Sequence, residues 1–329
     1  MIQETLDGAI VVNKSPGFTS TQYVEKIKTI INQKLRRIYR QTQSVGDLVE
    51  KAGHTGTLDP NAAGILVILL NKATKIIPYL SKHKTYSCEI ILGKETDTLD
   101  TSGKVINQVN ITPETASQIV KQIENLLPQY IGKFTQYAPS YSAKKIKGIR
   151  MYQIAPKLQQ QLVQQKSNIV YIYSIKLLDH YFFNNHHRIQ LEIECSQGTY
   201  VRSIIKDISQ KINIPLTLSF LVRKNSNNFT LSQSVTIEEI KQTPNISDLI
   251  IPLTTILENF SYVIVNDKTV FKVRNGHSFS NQNIIHLEKK GIYNDKNIFI
   301  VKDRRKEILA ICQSDDCINF KIRKVLKPY

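Results

Sequence analysis

Residues 53–69 read GHTGTLDPNAAGILVIL, a polar loop that turns directly into an apolar run. The loop contains two glycines and a proline, residues that interrupt regular secondary structure. Asp59 lies near the end of the loop, shortly before the chain becomes apolar. An aspartate before a proline commonly forms an Asx turn or caps a helix. A carboxylate fixed beside a core is also suited to chemistry, but the loop alone favours the structural interpretation and leaves the catalytic one open.

The surrounding sequence predicts a chain of mixed α and β structure. Helices are predicted after Ser20 and after Thr112, because each of these capping residues precedes apolar residues at helical spacing. Short apolar or alternating runs predict strands at 8–14, 84–93, 169–183 and 187–198. The apolar run at 62–77 fits either a helix or a strand, because its length does not decide between them.

The domain organisation is predicted from changes in composition. The stretch at 244–257 has the composition of a connector, and short strands with turn glycines follow it. We therefore expect one domain over residues 1–258 and a second, small and β-rich, over residues 259–329. The Gln-rich segment at 157–168 is predicted to be an exposed helix end or a mobile insert.

The charge balance indicates a polyanionic partner. The chain of 329 residues has 44 Lys and Arg against 27 Asp and Glu, a formal net charge of +17. The excess is concentrated in three segments, within 26–40, 144–150 and 302–327. Such clustering favours a nucleic acid as the partner.

Compartment and metal content are also constrained by the sequence. The four cysteines have no CxxC spacing, so neither a disulfide framework nor a zinc site is indicated. The acidic start MIQETLDG and the short apolar runs predict neither a signal peptide nor a membrane span. We expect a cytoplasmic protein that does not associate with membranes.

Several motifs with possible chemical roles have simpler explanations. GHTGTLDP lacks the Gly-Lys-Ser/Thr end of a P-loop, which argues against an ATP-dependent activity. Glu95, Asp97 and Asp100 are candidate metal ligands, but a hairpin between two strands accounts for them better. His186 and His187 lie between asparagines in a predicted turn, without a second ligand cluster.

Five motifs, in order along the chain, resemble those of the bacterial TruB-type tRNA pseudouridine-55 synthases. The longest is GHTGTLDPNAAG at 53–64, which is similar to the catalytic motif of that family. The other four are NKSPGFTS (13–20), KTYSCEIILGKETDTLDTSG (84–103), PSYSAKKIKGIRMY (139–152) and CSQGTYVRSIIKDI (195–208). The resemblance covers roughly residues 7–257, and the tail is loosely similar to a PUA-type RNA-binding domain. It implies an α+β fold with a large mixed, mainly antiparallel sheet, flanking helices and a central cleft.

The resemblance also implies a catalytic centre. Asp59 matches the nucleophile of the family, and Arg202 matches the arginine expected to form an ion pair with it. Tyr86 matches the tyrosine that stacks on the target base, and Leu221 the apolar residue on the other side of the pocket. His54 matches the histidine that fills the space left by the extruded uridine. Lys14 is expected to pack behind the site.

The implied substrate is the T-arm of tRNA, bound without a cofactor or metal by a protein expected to be a monomer. Tyr200, from the same motif as Arg202, is assigned to substrate binding. Lys144, Lys145 and Arg150 are expected to contact phosphates from a segment that closes over the RNA.

Some positions depart from the family pattern, and two other functions are compatible with parts of the sequence. The segment before His54 is longer than usual, the run after Met151 differs, and the paired arginines of the family appear as Val222-Arg223. A non-catalytic RNA-binding protein would explain the charge but not the set of Asp59 and its predicted partners. A related synthase acting on a different RNA would explain both.

Overall fold

The computed structural model of the protein describes residues 6–38, 48–137, 139, 145–146, 149–150, 167–290 and 297–327. At 145–146 and 149–150 only the backbone is described. Lys144, which is predicted to contact RNA, lies outside these ranges. Residues 157–166 of the Gln-rich segment also lie outside them. The last two residues of that segment, 167–168, begin a long strand rather than ending a helix.

The described chain alternates strands with a few helices. Up to residue 252 the strands are β1 (Gly8–Lys14), β2 (Ala52–His54), β3 (Ala63–Leu70), β4 (His83–Leu92), β5 (Lys94–Thr96), β6 (Val105–Gln108), β7 (Gly132–Tyr137), β8 (Lys145–Ile146), β9 (Ile149–Arg150), β10 (Ser167–Phe183), β11 (His186–Ser196), β12 (Leu216–Ser226), β13 (Phe229–Thr230) and β14 (Ile251–Pro252). The α-helices are α1 (Ser20–Ile38), α2 (Pro113–Leu126), α3 (Val201–Ile212), α4 (Ile237–Gln242), α5 (Leu253–Ile256) and α6 (Asp267–Arg274).

Within the described ranges, a ten-stranded sheet forms the centre of the fold. Its main order is β14-β1-β3-β12-β4-β11-β10-β7, with β2 added to β3 and β13 added to β12. Neighbouring strands are antiparallel except for β12 and β3, which are parallel. The prediction of a mixed, mainly antiparallel sheet is confirmed.

The ambiguous run at 62–77 is a strand followed by a 3₁₀ helix. β3 occupies its first part, and the 3₁₀ helix covers Asn71–Tyr79. β3 lies between β1 and β12, and every residue from Ile65 to Leu70 is fully buried. A strand covered on both faces shows a continuous apolar run instead of alternation. The sequence therefore lacked the periodicity that would have identified it.

The longer helices pack against the large sheet in two apolar clusters. Helices α2 and α3 bury isoleucines such as Ile123 and Ile204 against Leu191 of β11 and its neighbours. The N-terminus of α2 is capped as predicted, because the Thr115 amide donates to the Thr112 hydroxyl at 3.3 Å. Helix α1 packs on β1 and β3 in a separate cluster. None of the described helices is both long and apolar enough to cross a bilayer.

A second sheet follows residue 260. Its strands are β15 (Tyr262–Val265), β16 (Phe279–Ser280), β17 (Ile284–Glu288), β18 (Ile298–Lys302), β19 (Ile308–Gln313) and β20 (Asn319–Val325), in the order β16-β20-β19-β18-β15-β17. Ile300 and Ile311 of this sheet share a core with Val11 and Ile65 of the large sheet, and Phe260 lies in the same cluster. The two sheets are thus joined by a continuous apolar contact.

Candidate active site

The loop at 53–62 is fixed to the surrounding elements by buried polar contacts. Ser20, the first residue of α1, accepts from the Leu58 amide at 2.8 Å and donates to the Leu58 carbonyl at 3.0 Å. The Lys14 ammonium donates to the carbonyls of Pro60 at 3.0 Å and of Ala62 at 2.8 Å. Burial lowers the pKa of Lys14 to about 8, with Asp59 opposing this effect. The loop backbone is therefore held in one conformation.

The Asp59 carboxylate is directed toward Arg202. The turn that contains Asp59 is closed by its backbone, since the Ala62 amide donates to the Asp59 carbonyl at 3.1 Å. An Arg202 Nη atom lies 2.7 Å from an Asp59 carboxylate oxygen. The side chain of Arg202 is 6% exposed and that of Asp59 is 29% exposed. The predicted ion pair is present, and it leaves part of the carboxylate accessible from the cavity.

Arg202 is oriented by the hairpin of β5 and β6. Its second Nη atom donates to the Thr98 carbonyl at 3.1 Å and lies 3.6 Å from an Asp100 carboxylate oxygen. The Asp100 carboxylate also accepts from Thr98 and from the Ser102 amide. The hairpin interpretation of 96–106 is confirmed by the pairing of β5 with β6. This hairpin also supplies a carboxylate to the site, which the sequence analysis had not assigned.

Helix α3 brings Arg202 to the loop. The chain enters this helix through Gly198, whose φ of +90° favours glycine, and the Tyr200 amide donates to the Gln136 side chain at 2.6 Å. Val201, Ile204 and three further residues of α3 are buried. Burial of this face fixes the rotation of the helix and places Arg202 in its first turn beside the cavity.

The pair opens onto a cavity of about 350 Å³. Asp59, Tyr86, Tyr200, Arg202 and Leu221 all line it. The exposed fraction is 7% for both Tyr86 and Leu221, so the wall beside the carboxylate is largely apolar. Burial raises the pKa of the Tyr86 hydroxyl, with smaller effects of Arg223 and of other neighbours. The Tyr86 hydroxyl is therefore uncharged at neutral pH.

Two basic side chains without a role in the sequence-based prediction also line the cavity. Lys84 is 2% exposed and donates to the Ser226 hydroxyl at 2.5 Å and to the Asn227 side chain at 2.7 Å. Thr55 of the loop donates to the same Asn227 oxygen. Burial lowers the pKa of Lys84 to about 6, and the Arg223 charge adds to this effect.

The second of these basic side chains, Arg223, is 1% exposed. Strand alternation could have pointed to both residues. Lys84 lies two residues before Tyr86 on β4, and Arg223 lies two residues after Leu221 on β12.

Some predicted residues are not brought to this cavity. His54 lies on β2 opposite Ile68 of β3 and is not among the residues that line the cavity. Its Nδ1 atom is buried without a hydrogen-bond partner, and burial lowers its pKa, with contributions from Arg223 and Lys84. The backbones of Lys145 and Arg150 pair in a short ladder, but their side chains are outside the described atoms. Within the described part of the chain, no three His, Cys, Asp or Glu side chains gather as a metal site requires.

Comparisons with known sequences relate the chain to one family. A model described as TruB family pseudouridylate synthase (N terminal domain) matches residues 40–201. A tRNA pseudouridine synthase B from Caldanaerobacter subterraneus subsp. tengcongensis is 34% identical over 297 residues, which cover 90% of this chain and 94% of that protein. The chain belongs to the TruB family of pseudouridylate synthases. A second relative of the same description, from Clostridium perfringens, is 32% identical over 309 residues, or 92% of this chain and 96% of that protein.

Family membership confirms the resemblance drawn from the five motifs. It identifies the protein as an isomerase of the pseudouridine synthase class. The motifs that carry Asp59 and Tyr86 lie within the matched residues, and Arg202 follows directly after them. Asp59 and Tyr86 thus lie in the part of the chain that matches the family model, whereas Arg202 and Leu221 lie beyond its end.

Solved structures show the same fold. A chain of a Cbf5-Nop10-Gar1 complex superimposes with a TM-score of 0.67 and 21% identity, covering 98% of this chain and 86% of the other. A chain of an H/ACA RNP bound to a substrate RNA containing 2′-deoxyuridine gives a TM-score of 0.65, also at 21% identity and with the same coverage. The likeness confirms a pseudouridine synthase-like fold with a small β-rich, PUA-like C-terminal part.

Proposed function

We propose that the protein isomerises the T-loop uridine at position 55 of tRNA to pseudouridine, with Asp59 as the nucleophile. The observation that carries this proposal is the contact of 2.7 Å between Arg202 and Asp59 at the wall of a cavity that Tyr86 also lines. The relatives from two bacteria, both described as tRNA pseudouridine synthase B, support tRNA as the substrate.

The reaction makes limited chemical demands. The glycosidic bond between N1 and C1′ breaks, the base turns, and a bond forms between C5 and C1′. The proton that leaves C5 is balanced by one that N1 gains, and no electrons are transferred overall. The reaction therefore needs a nucleophile and groups that guide the base, but neither an energy source nor a redox cofactor.

Asp59 is suited to the role of nucleophile. An ionised carboxylate attacks carbon without the help of a partner base. Arg202 stabilises its charge in a site where a lone buried carboxylate would be costly. Attack at the sugar C1′ and attack at the base C6 are both compatible with this arrangement, because the carboxylate faces the cavity from one side.

The cavity accommodates a single extruded nucleotide. Its volume of about 350 Å³ is at the small end of ligand pockets, so a stacked loop does not enter intact. Extrusion of the uridine costs a few kcal/mol in lost stacking. We propose that the base then stacks on the Tyr86 ring, with Leu221 opposite and Tyr200 at the rim. We propose that His54 fills the space that the extruded uridine leaves in the tRNA loop, which is outside the cavity.

Binding of the T-arm is assigned to the basic surface. The net charge of +17 favours association with a polyanion, and Lys144, Lys145 and Arg150 are proposed to contact its phosphates. We further propose residues 1–258 as the catalytic domain and residues 259–329 as an RNA-binding domain. A monomeric state and a cytoplasmic location are part of the same proposal.

The proposal is tested with unmodified tRNA transcript that carries tritium at uridine C5. We expect tritium release, with pseudouridine mapped to the T-loop, from wild-type protein and from the surface control Asp179→Asn. Asp59→Asn is expected to bind tRNA within a few-fold of wild type and to form no product. Turnover by pure Asp59→Asn would refute the nucleophile assignment.

The substrate assignment is tested with isolated RNA hairpins. We expect a T-arm minihelix to be modified and other hairpins of the same length to be left unmodified. Modification of the other hairpins in preference would identify a synthase with a different RNA target. Tight binding without any tritium release would instead identify an RNA-binding protein.

A further inference from the structure

Arg223 lies at the point where three elements of the site meet. On β12 it is opposite Tyr86 of β4 and, on the other side, beside Gly64 of β3. A Cβ atom added to Gly64 would lie 2.4 Å from the Arg223 carbonyl oxygen, so the two backbones are in close contact. The Arg223 side chain lines the cavity but is only 1% exposed, because it lies beneath the loop that carries Asp59.

The guanidinium of Arg223 is bound by backbone carbonyls of this loop. Nη2 donates to the Gly56 carbonyl at 3.1 Å, Nη1 to the Thr57 carbonyl at 3.2 Å, and Nε to the Ile65 carbonyl at 2.9 Å. These three carbonyls lie on both sides of Asp59 in the sequence. The guanidinium therefore binds the backbone on both sides of Asp59, the proposed nucleophile.

The chemistry of this contact requires arginine. Guanidinium presents its donors in a rigid planar fork, whereas a lysine ammonium is a compact point charge on a flexible stem. Among the described residues, no carboxylate lies within ion-pair distance of Arg223. A buried cation balanced by carbonyl dipoles is costly, and an apolar side chain would pack there at lower cost. The presence of a charged side chain at this buried position therefore indicates a function beyond packing.

We propose that Arg223 is a positioning residue for catalysis, which fixes the loop so that the Asp59 carboxylate meets Arg202 and the substrate. This inference rests on the proposed function, because it assigns Arg223 to the nucleophile of that reaction. Because only 1% of its side chain is exposed, we expect Arg223 to act through the backbone of the loop rather than through contact with the RNA. Its loss therefore changes the chemical step and leaves tRNA binding intact.

The kinetic test compares Arg223→Met and Arg223→Lys with wild type. Misplacement of a reacting group by about 1 Å costs roughly 100-fold in rate, so we expect kcat to fall about 100-fold in Arg223→Met. The lysine variant keeps the charge but loses the fork, and we expect a decrease of about tenfold. KM for tRNA should stay within about threefold of wild type in both, because an interaction that acts only in the chemical step lowers kcat alone.

Arg188→Met is the matched control. Arg188 is another arginine of the same sheet, with a side chain 15% exposed, and it pairs with Glu89 away from the cavity. This variant should lose stability without a change in kcat. A purely structural role of Arg223 would produce the same pattern as the control.

Amide hydrogen exchange provides a measurement that does not depend on activity. We expect peptides spanning 55–66 to exchange faster in Arg223→Met and Arg223→Lys than in wild type or Arg188→Met. If wild-type protein releases no tritium from tRNA, the proposed function fails and the exchange data alone decide the role of Arg223 in the loop. If Arg223→Met does not fold, Arg223→Lys decides in its place.

Three results would overturn the inference. The first is a kcat within about twofold of wild type in folded Arg223→Met or Arg223→Lys. The second is a rise in KM with unchanged kcat, which would place Arg223 in RNA binding. The third is unchanged exchange of residues 55–66 in both variants.

Discussion

Replacement of Lys84 by methionine should remove a distinct pH dependence of stability. Burial lowers the pKa of Lys84 from an ordinary value of 10.5 to about 6 in the folded protein. The charge of Arg223 contributes to this lower pKa, and Cys195 is the neighbour that opposes it. Lys84 is 2% exposed, and the two side chains that accept its hydrogen bonds, Ser226 and Asn227, are both uncharged.

The direction of the effect follows from proton binding. Between about pH 6 and about pH 10.5 the unfolded chain holds a proton at Lys84 that the folded protein has released. Stability from this residue therefore rises with pH across that window. It is lowest below about pH 6, where the folded protein must bury the ammonium. One proton contributes about 1.4 kcal/mol for each pH unit, so the gain between about pH 7 and about pH 9 is about 2–3 kcal/mol.

Urea unfolding at several pH values measures this contribution. The difference in unfolding free energy between wild type and Lys84→Met should grow in favour of wild type by about 2–3 kcal/mol over that range. Other titrating groups are common to both proteins and cancel in the difference. The exposed Lys82 provides the control, and Lys82→Met should remain parallel to wild type at every pH. Parallel curves for wild type and Lys84→Met would show that the pKa of Lys84 is not lowered in the folded protein.

Two further predictions concern catalysis and binding. Asp100→Asn should lower kcat about 10- to 100-fold with little change in KM, because Arg202 loses one of the two carboxylates that orient it. Tritium release at saturating tRNA measures this effect, and a kcat equal to that of wild type would show that Asp59 alone orients the arginine. The Kd for tRNA should rise steeply with salt, because several phosphates are neutralised by the basic surface. Filter binding at increasing KCl measures the slope, and a flat dependence would contradict a backbone-directed interaction.

Much of the local structure could be predicted from the sequence because its signals are local. The Thr112 cap, the amphipathic face of α1 and the alternation in β4 and β11 each depend on residues a few positions apart. The run at 62–77 could not be resolved, because its strand is covered on both faces by elements distant in the sequence.

The chemical type of the site could be recognised from the sequence alone. A short contiguous motif contains Asp59, and similar motifs contain Tyr86 and Arg202, so their residue types and order could be recognised without a structure. The orientation of these groups depends on tertiary contacts. The large sheet brings Lys84 and the loop-binding Arg223 to one cavity, and a separate hairpin places Asp100 beside Arg202. Their contacts depend on strand order and on burial, and neither property is encoded in any single stretch of sequence.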